Sequence, residues 1–199
     1  MARMSRVLIV ALLAGCVGQY GVSGRPAEGS GAEAGVVRTF ADGFGRQSPG
    51  RVLRLFADDA VLELAGLGVV LQGRQQLQGF LEYGAEVKAR LEVRELSGQG
   101  DTVVCRLSER NEWFELLGAG EVTYQARFRV RQGKISSGVV ALEPDSKDRL
   151  QQRLVKFVQW LKENDPAVIA KLMPGGKLRF SRESARLLLV ELRVWHGFS

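Results

Sequence analysis

Few side chains in this sequence have the means for covalent or acid–base chemistry, and their spacing limits what each can do. There is one histidine, His196, near the C-terminal end, and two cysteines, Cys16 and Cys105. No histidine cluster, paired-cysteine spacing or glycine loop with a phosphate-binding lysine occurs, so the sequence carries no metal, nucleotide or haem signature and predicts no cofactor. Carboxylates remain. Asp58-Asp59 admits two readings: an acid/base dyad centred on Asp59, or a turn that stops a helix, where adjacent carboxylates oppose the helix dipole but suit a turn. Further on, the alternation of Val103, Cys105 and Leu107, continued at the same period, puts Glu109, Asn111 and Trp113 on one face of a strand. Among apolar neighbours the Glu109 carboxyl would be raised in pKa and could act as a base. Cys105, between Val103 and Leu107, reads as a small core hydrophobe.

Positioning these residues takes helices on one side and sheet on the other. Val36, Val37, Phe40 and Phe44 recur at helical spacing, and Ser48-Pro49 supplies an N-cap and a first-turn proline for a second helix carrying Val52, Leu55 and Phe56. Glycines 66, 68 and 73 punctuate a hairpin of residues 61–64 and 69–72. Gly73 then opens a third helix that buries Leu77, Phe80, Leu81 and Val87. From Arg90 the period becomes two: Leu91 and Val93, then Val103 to Leu107, then Val122, Tyr124, Ala126, Phe128 and Val130, with turns at residues 97–101, 118–120 and 132–133. Residues 135–142 complete a meander of half-buried antiparallel strands. Arg127, Arg129 and Arg131 fall on the face opposite Phe128, which suits an exposed or dimerising surface. After Pro144 the helical period returns, with Leu150, Leu154, Phe157, Val158 and Leu161 in one stripe, a short helix after Asn164-Asp165-Pro166, and a last helix capped by Ser181.

At 199 residues, 45% hydrophobic and 25% charged, the chain has the size of one globular domain with an extension. Residues 1–15 read as a secretory signal: Arg3 and Arg6, an apolar run from Val7 to Leu13, then small residues, too short to span a bilayer as a mature helix. Leu13-Ala14-Gly15-Cys16 resembles the lipobox of bacterial lipoproteins, which implies a diacylglycerol on Cys16 and a membrane partner in the cell envelope. Val17, rather than aspartate, would favour the outer membrane, on its periplasmic side, in a Gram-negative cell. The alternative is an ordinary signal peptide followed by a cysteine. Residues 16–35 are poor in apolar side chains and predict a flexible tether. Without Arg3 and Arg6 the formal net charge falls from +6 to +4, too weak and too evenly spread for nucleic-acid binding.

The segment Phe56-Ala57-Asp58-Asp59-Ala60-Val61-Leu62, with Gly73 opening a helix through Phe80 and Leu81, resembles the NTF2-like (SnoaL-like, ketosteroid-isomerase-like) family, over residues 36–143. The resemblance implies an α+β fold: a cone whose curved antiparallel sheet packs on the N-terminal helices, with residues 144–199 as a C-terminal helical extension. It also implies a pocket at the wide end, lined by alternate strand positions. Glu109, Asn111, Trp113, Tyr124 and Tyr83 are then its ligand-binding residues, and a small apolar molecule its ligand. Catalytic branches pair an aspartate with a tyrosine or histidine, and here the chain departs, with His196 beyond the domain and Thr39 where a tyrosine would stand in the first helix. The expectation is therefore a lipid-anchored module binding a small molecule or a partner protein. The alternative is a pocket enzyme of isomerase, cyclase or hydrolase type using Glu109 or Asp59 as base. The extension would fold back on the sheet, lid the pocket or form a homodimer contact.

Overall fold

The computed structural model describes residues 31–46 and 48–197; the expected signal segment, Cys16 and most of the tether lie outside them. Helix α1 (Ala32–Gly43) begins inside the span expected as tether. Ala34, at 2% exposure, extends the buried stripe of Val37, Phe40 and Ala41 back by one turn, and that burial draws the segment into the helix. Helix α2 (Pro49–Leu53) is a short turn started by its proline.

Strand β1 (Phe56–Ala65) corrects the reading of the acidic pair. Asp58 and Asp59 lie within a strand, not at the end of a helix. The register of β1 on its neighbour β6 (Lys134–Leu142) shifts between Phe56 and Val61. That bulge turns two successive residues to solvent, as bulges do, and both aspartates are exposed. Asp58 pairs with Arg74 at 2.8 Å.

Strands β2 (Val69–Gln72), β3 (Arg90–Gln99), β4 (Thr102–Arg110) and β5 (Val122–Arg131) complete one six-stranded sheet in the order β2-β1-β6-β5-β4-β3. All neighbours are antiparallel except β1 and β6, which run parallel. The meander closes back on β1 from the far side, a return that needs the whole intervening chain as its crossover. Further register shifts, between Val93 and Glu95 and between Arg129 and Val130, add to the curvature of the open sheet.

The concave face holds the core. Phe40 meets Phe44, Phe56 and Phe128 edge to face at 5.4–5.8 Å, and Phe128 has no exposed surface. Helix α3 (Gly73–Glu86) packs across β1 and α2.

Helix α4 (Glu112–Leu117) interrupts the expected run of β4 after Arg110. Asn111 caps it, its Oδ1 accepting the Phe114 N–H at 2.7 Å, and Gly118 closes it in a left-handed conformation. The C-terminal helices α5 (Pro144–Asn164), α6 (Pro166–Leu172) and α7 (Arg182–His196) fold back on the same chain. Helix α7 packs on α3 and α4, and α5 on β5. Arg186 reaches Glu86 at 2.9 Å, Arg193 pairs with Glu112, and Arg149 donates to the carbonyls of Ala119 and Glu121 at 2.8 and 2.6 Å.

Candidate functional site: a capped apolar cavity

Between the concave sheet, α1, α3, α4 and the C-terminal extension lies a cavity of about 80 Å³. Its walls are almost wholly apolar, with Phe40, Phe44, Phe80, Leu107 and Leu142 from the domain and Leu150 and Phe180 from the extension. Four of the five residues read from the sequence as pocket residues line it: Glu109, Trp113, Tyr124 and Tyr83. Asn111 stands behind the wall, and Asp59 lies out on exposed β1 and does not belong to the site.

Glu109 comes from the last inward position of β4, opposite Val122 of β5, and Tyr124 sits one inward position further along β5. The Tyr124 hydroxyl donates to Glu109 Oε2 at 2.8 Å, and Asn111 Nδ2 donates to Oε1 at 2.7 Å. The cap of α4 fixes that second bond: with Asn111 Oδ1 committed to the Phe114 N–H, only the amide nitrogen faces the carboxyl. Burial among apolar side chains pushes the Glu109 carboxyl above its usual range, and the two donated hydrogen bonds pull it only part of the way back.

Tyr83 reaches the cavity from α3 and Trp113 from the first turn of α4, so Trp113 arrives by a helix and not, as the sequence suggests, by a continued strand. Their rings stand edge to face at 6.2 Å. Among the described residues no atom hydrogen-bonds the Tyr83 hydroxyl or Trp113 Nε1, although both are buried. An unmade buried hydrogen bond costs roughly 1–3 kcal/mol, so these two donors mark a place where a polar partner belongs. Burial first, and the Glu109 charge second, hold the Tyr83 phenol far above its ordinary pKa; it stays a donor. The Tyr124 phenol is raised in the same way.

The site therefore offers a raised carboxyl, a phenol bound to it, and two free donors in an apolar shell. This set can bind an acceptor oxygen and can exchange a proton with it. It does not suit a metal: among the described residues no group of three histidine, cysteine or carboxylate side chains is so placed. Cys105 is buried beneath the sheet, with its thiol pushed up to about 12, and is inert packing. His196 lies outside the cavity, 3.2 Å from the Leu116 carbonyl.

Strand periodicity carried past Arg110 makes Asn111 a strand residue and hides α4, although Asn followed by Glu in the next turn is also a helix start. Phe180 is missed as well. A large apolar residue just before the Ser181 cap was the available signal, since that position normally packs back on its neighbours.

A curved α+β cone with an enclosed pocket defines the NTF2-like class. Within that class residues 37–138 match the SnoaL-like domain model, and the chain belongs to that family. Comparison with curated protein sequences gave no match. Among solved structures, an LEH-like epoxide hydrolase of M. tuberculosis is 17% identical, over 64% of this chain and 96% of that one, with a TM-score of 0.50. SalBIII, an epoxide hydrolase/cyclase-like enzyme in salinomycin pyran ring formation, is 18% identical over 57% and 92% at 0.50. A protein of ketosteroid isomerase-like fold from Catenulispora acidiphila, in complex with trimethylamine, is 19% identical over 56% and 87% at 0.47. At these identities the likeness is one of fold.

Proposed function

We propose that this protein binds a small, largely apolar molecule carrying one acceptor oxygen, which takes hydrogen bonds from Tyr83 and Trp113 beside Glu109. The observation that carries this reading is the pair of buried donors without a partner among the described residues, in an otherwise apolar cavity. Acetophenone, one aromatic ring with one carbonyl, is a suitable probe. Calorimetry should find it bound by the full-length chain and bound about 5- to 150-fold more weakly by Tyr83→Phe, as follows from loss of one buried hydrogen bond worth ~1–3 kcal/mol. Equal affinity in the two proteins would count against it.

A second reading, proton transfer to or from the bound molecule, is favoured by the raised Glu109 carboxyl. Its signature would be exchange of the acetophenone methyl protons for deuterium in heavy water, lost in Glu109→Gln. The envelope location is part of the proposal and rests on the sequence of residues 1–17 alone. Intact mass of membrane-extracted protein should give a chain starting at an acylated Cys16, and a mature chain without lipid mass would defeat it.

A further inference from the structure

The cavity is small for its office. Ligand pockets typically enclose about 300–1,000 Å³, against about 80 Å³ here, so a ring-sized molecule fits only if some wall gives way.

One wall is attached differently from the others. The segment joining α6 to α7, residues 173–181, runs over the cavity and places Phe180 in its lining. The backbone of this segment bonds to α6, to itself and to α7: Arg179 N–H to the Leu172 carbonyl at 3.0 Å, Gly176 N–H to the Met173 carbonyl at 3.0 Å, and the Arg179 carbonyl to Ser184 Oγ at 2.6 Å. Among the described residues no backbone hydrogen bond ties it to α3 or to the sheet. What holds it down is side-chain packing: Met173, Leu178 and Phe180, all half-buried, lie on the core, and Phe180 stands against Phe80 at 5.5 Å and Tyr83 at 5.0 Å. Gly175 and Gly176 precede it with φ of 64° and 80°. A Cβ at either would meet nothing, so glycine is there for the backbone conformation, which other residues rarely adopt. On the outer side a groove of about 340 Å³ separates residues 177–180 from the edge strand β2, giving the segment room to move.

Helix α3 is shaped to receive this segment. A Cβ at Gly79 would lie 2.7 Å from the Phe180 carbonyl oxygen, so a glycine in mid-helix, which costs about 1 kcal/mol against alanine, lets the backbone settle.

We propose that residues 173–181 form a strap hinged at Gly175-Gly176, and that Phe180 is a displaceable plug deciding which molecules enter: single-ring ligands on partial opening, two-ring ligands only when Phe180 leaves. This rests on the pocket reading above. The strap opens at the hinge, Phe180 gives up its contacts with Phe80 and Tyr83, and the ligand's ring replaces it there.

The test uses full-length protein and 2-acetylnaphthalene, a two-ring ketone, with binding followed by stopped-flow tryptophan fluorescence. If the open strap is populated at ~0.1–10%, as minor states commonly are, a variant that is always open should associate about 10- to 1,000-fold faster. Phe180→Ala removes the plug. Gly79→Ala lifts the strap, and Phe180 with it, without removing any cavity side chain, and so carries the test should Phe180→Ala fold poorly. The expected result is faster association in both variants and, in wild type alone, a rate that saturates with ketone concentration. Binding with unchanged rates in both variants would overturn the strap but leave the pocket. No binding of either ketone to any of the three proteins would overturn both.

Discussion

Phe128→Ala is the sharpest test of how the core positions the site. Phe128 has no exposed surface, meets Phe40 edge to face at 5.8 Å and sits opposite Val103 on β4 and Gly138 on β6. Truncation of a buried Phe costs about 3–5 kcal/mol, which is roughly a fifth or more of a typical domain's ~5–15 kcal/mol. At ~2–4 °C per kcal/mol for a chain of this size, melting should fall by roughly 6–20 °C. Gly138 supplies an internal control. A Cβ there would lie 2.8 Å from both the Phe128 ring and Leu62, so Gly138→Ala alone overpacks the core, at about 1–3 kcal/mol. In the double variant the new methyl enters space the ring has left, and the combined loss should fall short of the sum by ~0.5–3 kcal/mol, as expected for residues in contact. Urea unfolding of the four proteins measures this. Strict additivity, or an effect of Phe128→Ala no larger than that of exposed Arg129→Ala, would refute the register and the packing together.

Glu109→Gln should gain stability relative to wild type as pH rises. The folded-state carboxyl is raised, so between the unfolded value and the folded one the native state holds the extra proton and wild-type stability falls with pH; unfolding curves at stepped pH check it, and a constant difference contradicts it. Ending the chain at Glu143 removes Leu150 and Phe180 from the cavity wall and α7 from α3 and α4, so the fragment should melt lower and bind a hydrophobic dye. An unchanged melt would make the extension an independent unit. Asp59→Ala should leave acetophenone affinity within twofold, because the side chain is exposed on β1; a tenfold loss would return Asp59 to the site.

The sheet was legible because the alternation in sequence matches the burial of β5 residue by residue from Gln125 to Arg131, and a face exposed to solvent writes that period into the sequence. The helices of the extension were legible for the same reason at the longer period. Their destination was not, since an apolar stripe records that a face is buried and says nothing of what covers it. The bulge hid the first half of β1, before Val61: two exposed aspartates in succession break alternation, and local sequence reads them as a turn. The site was half legible. Glu109 and Tyr124 follow from strand periodicity, whereas the orientation of Trp113 depends on Asn111 capping α4, and the cavity's size depends on Phe180, 71 positions beyond Glu109. Such contacts are set by tertiary packing and leave no local trace.

The most direct measurement is the indole N–H resonance of Trp113, assigned by its loss in Trp113→Phe and followed by nitrogen–proton NMR as acetophenone is added to full-length protein. If the carbonyl accepts hydrogen bonds from Trp113 and Tyr83, this indole proton should move downfield and saturate with the calorimetric affinity, while the indoles of Trp160 and Trp195 stay where they are. Saturable binding of the ketone with the Trp113 resonance unmoved would place the ligand elsewhere and contradict the account.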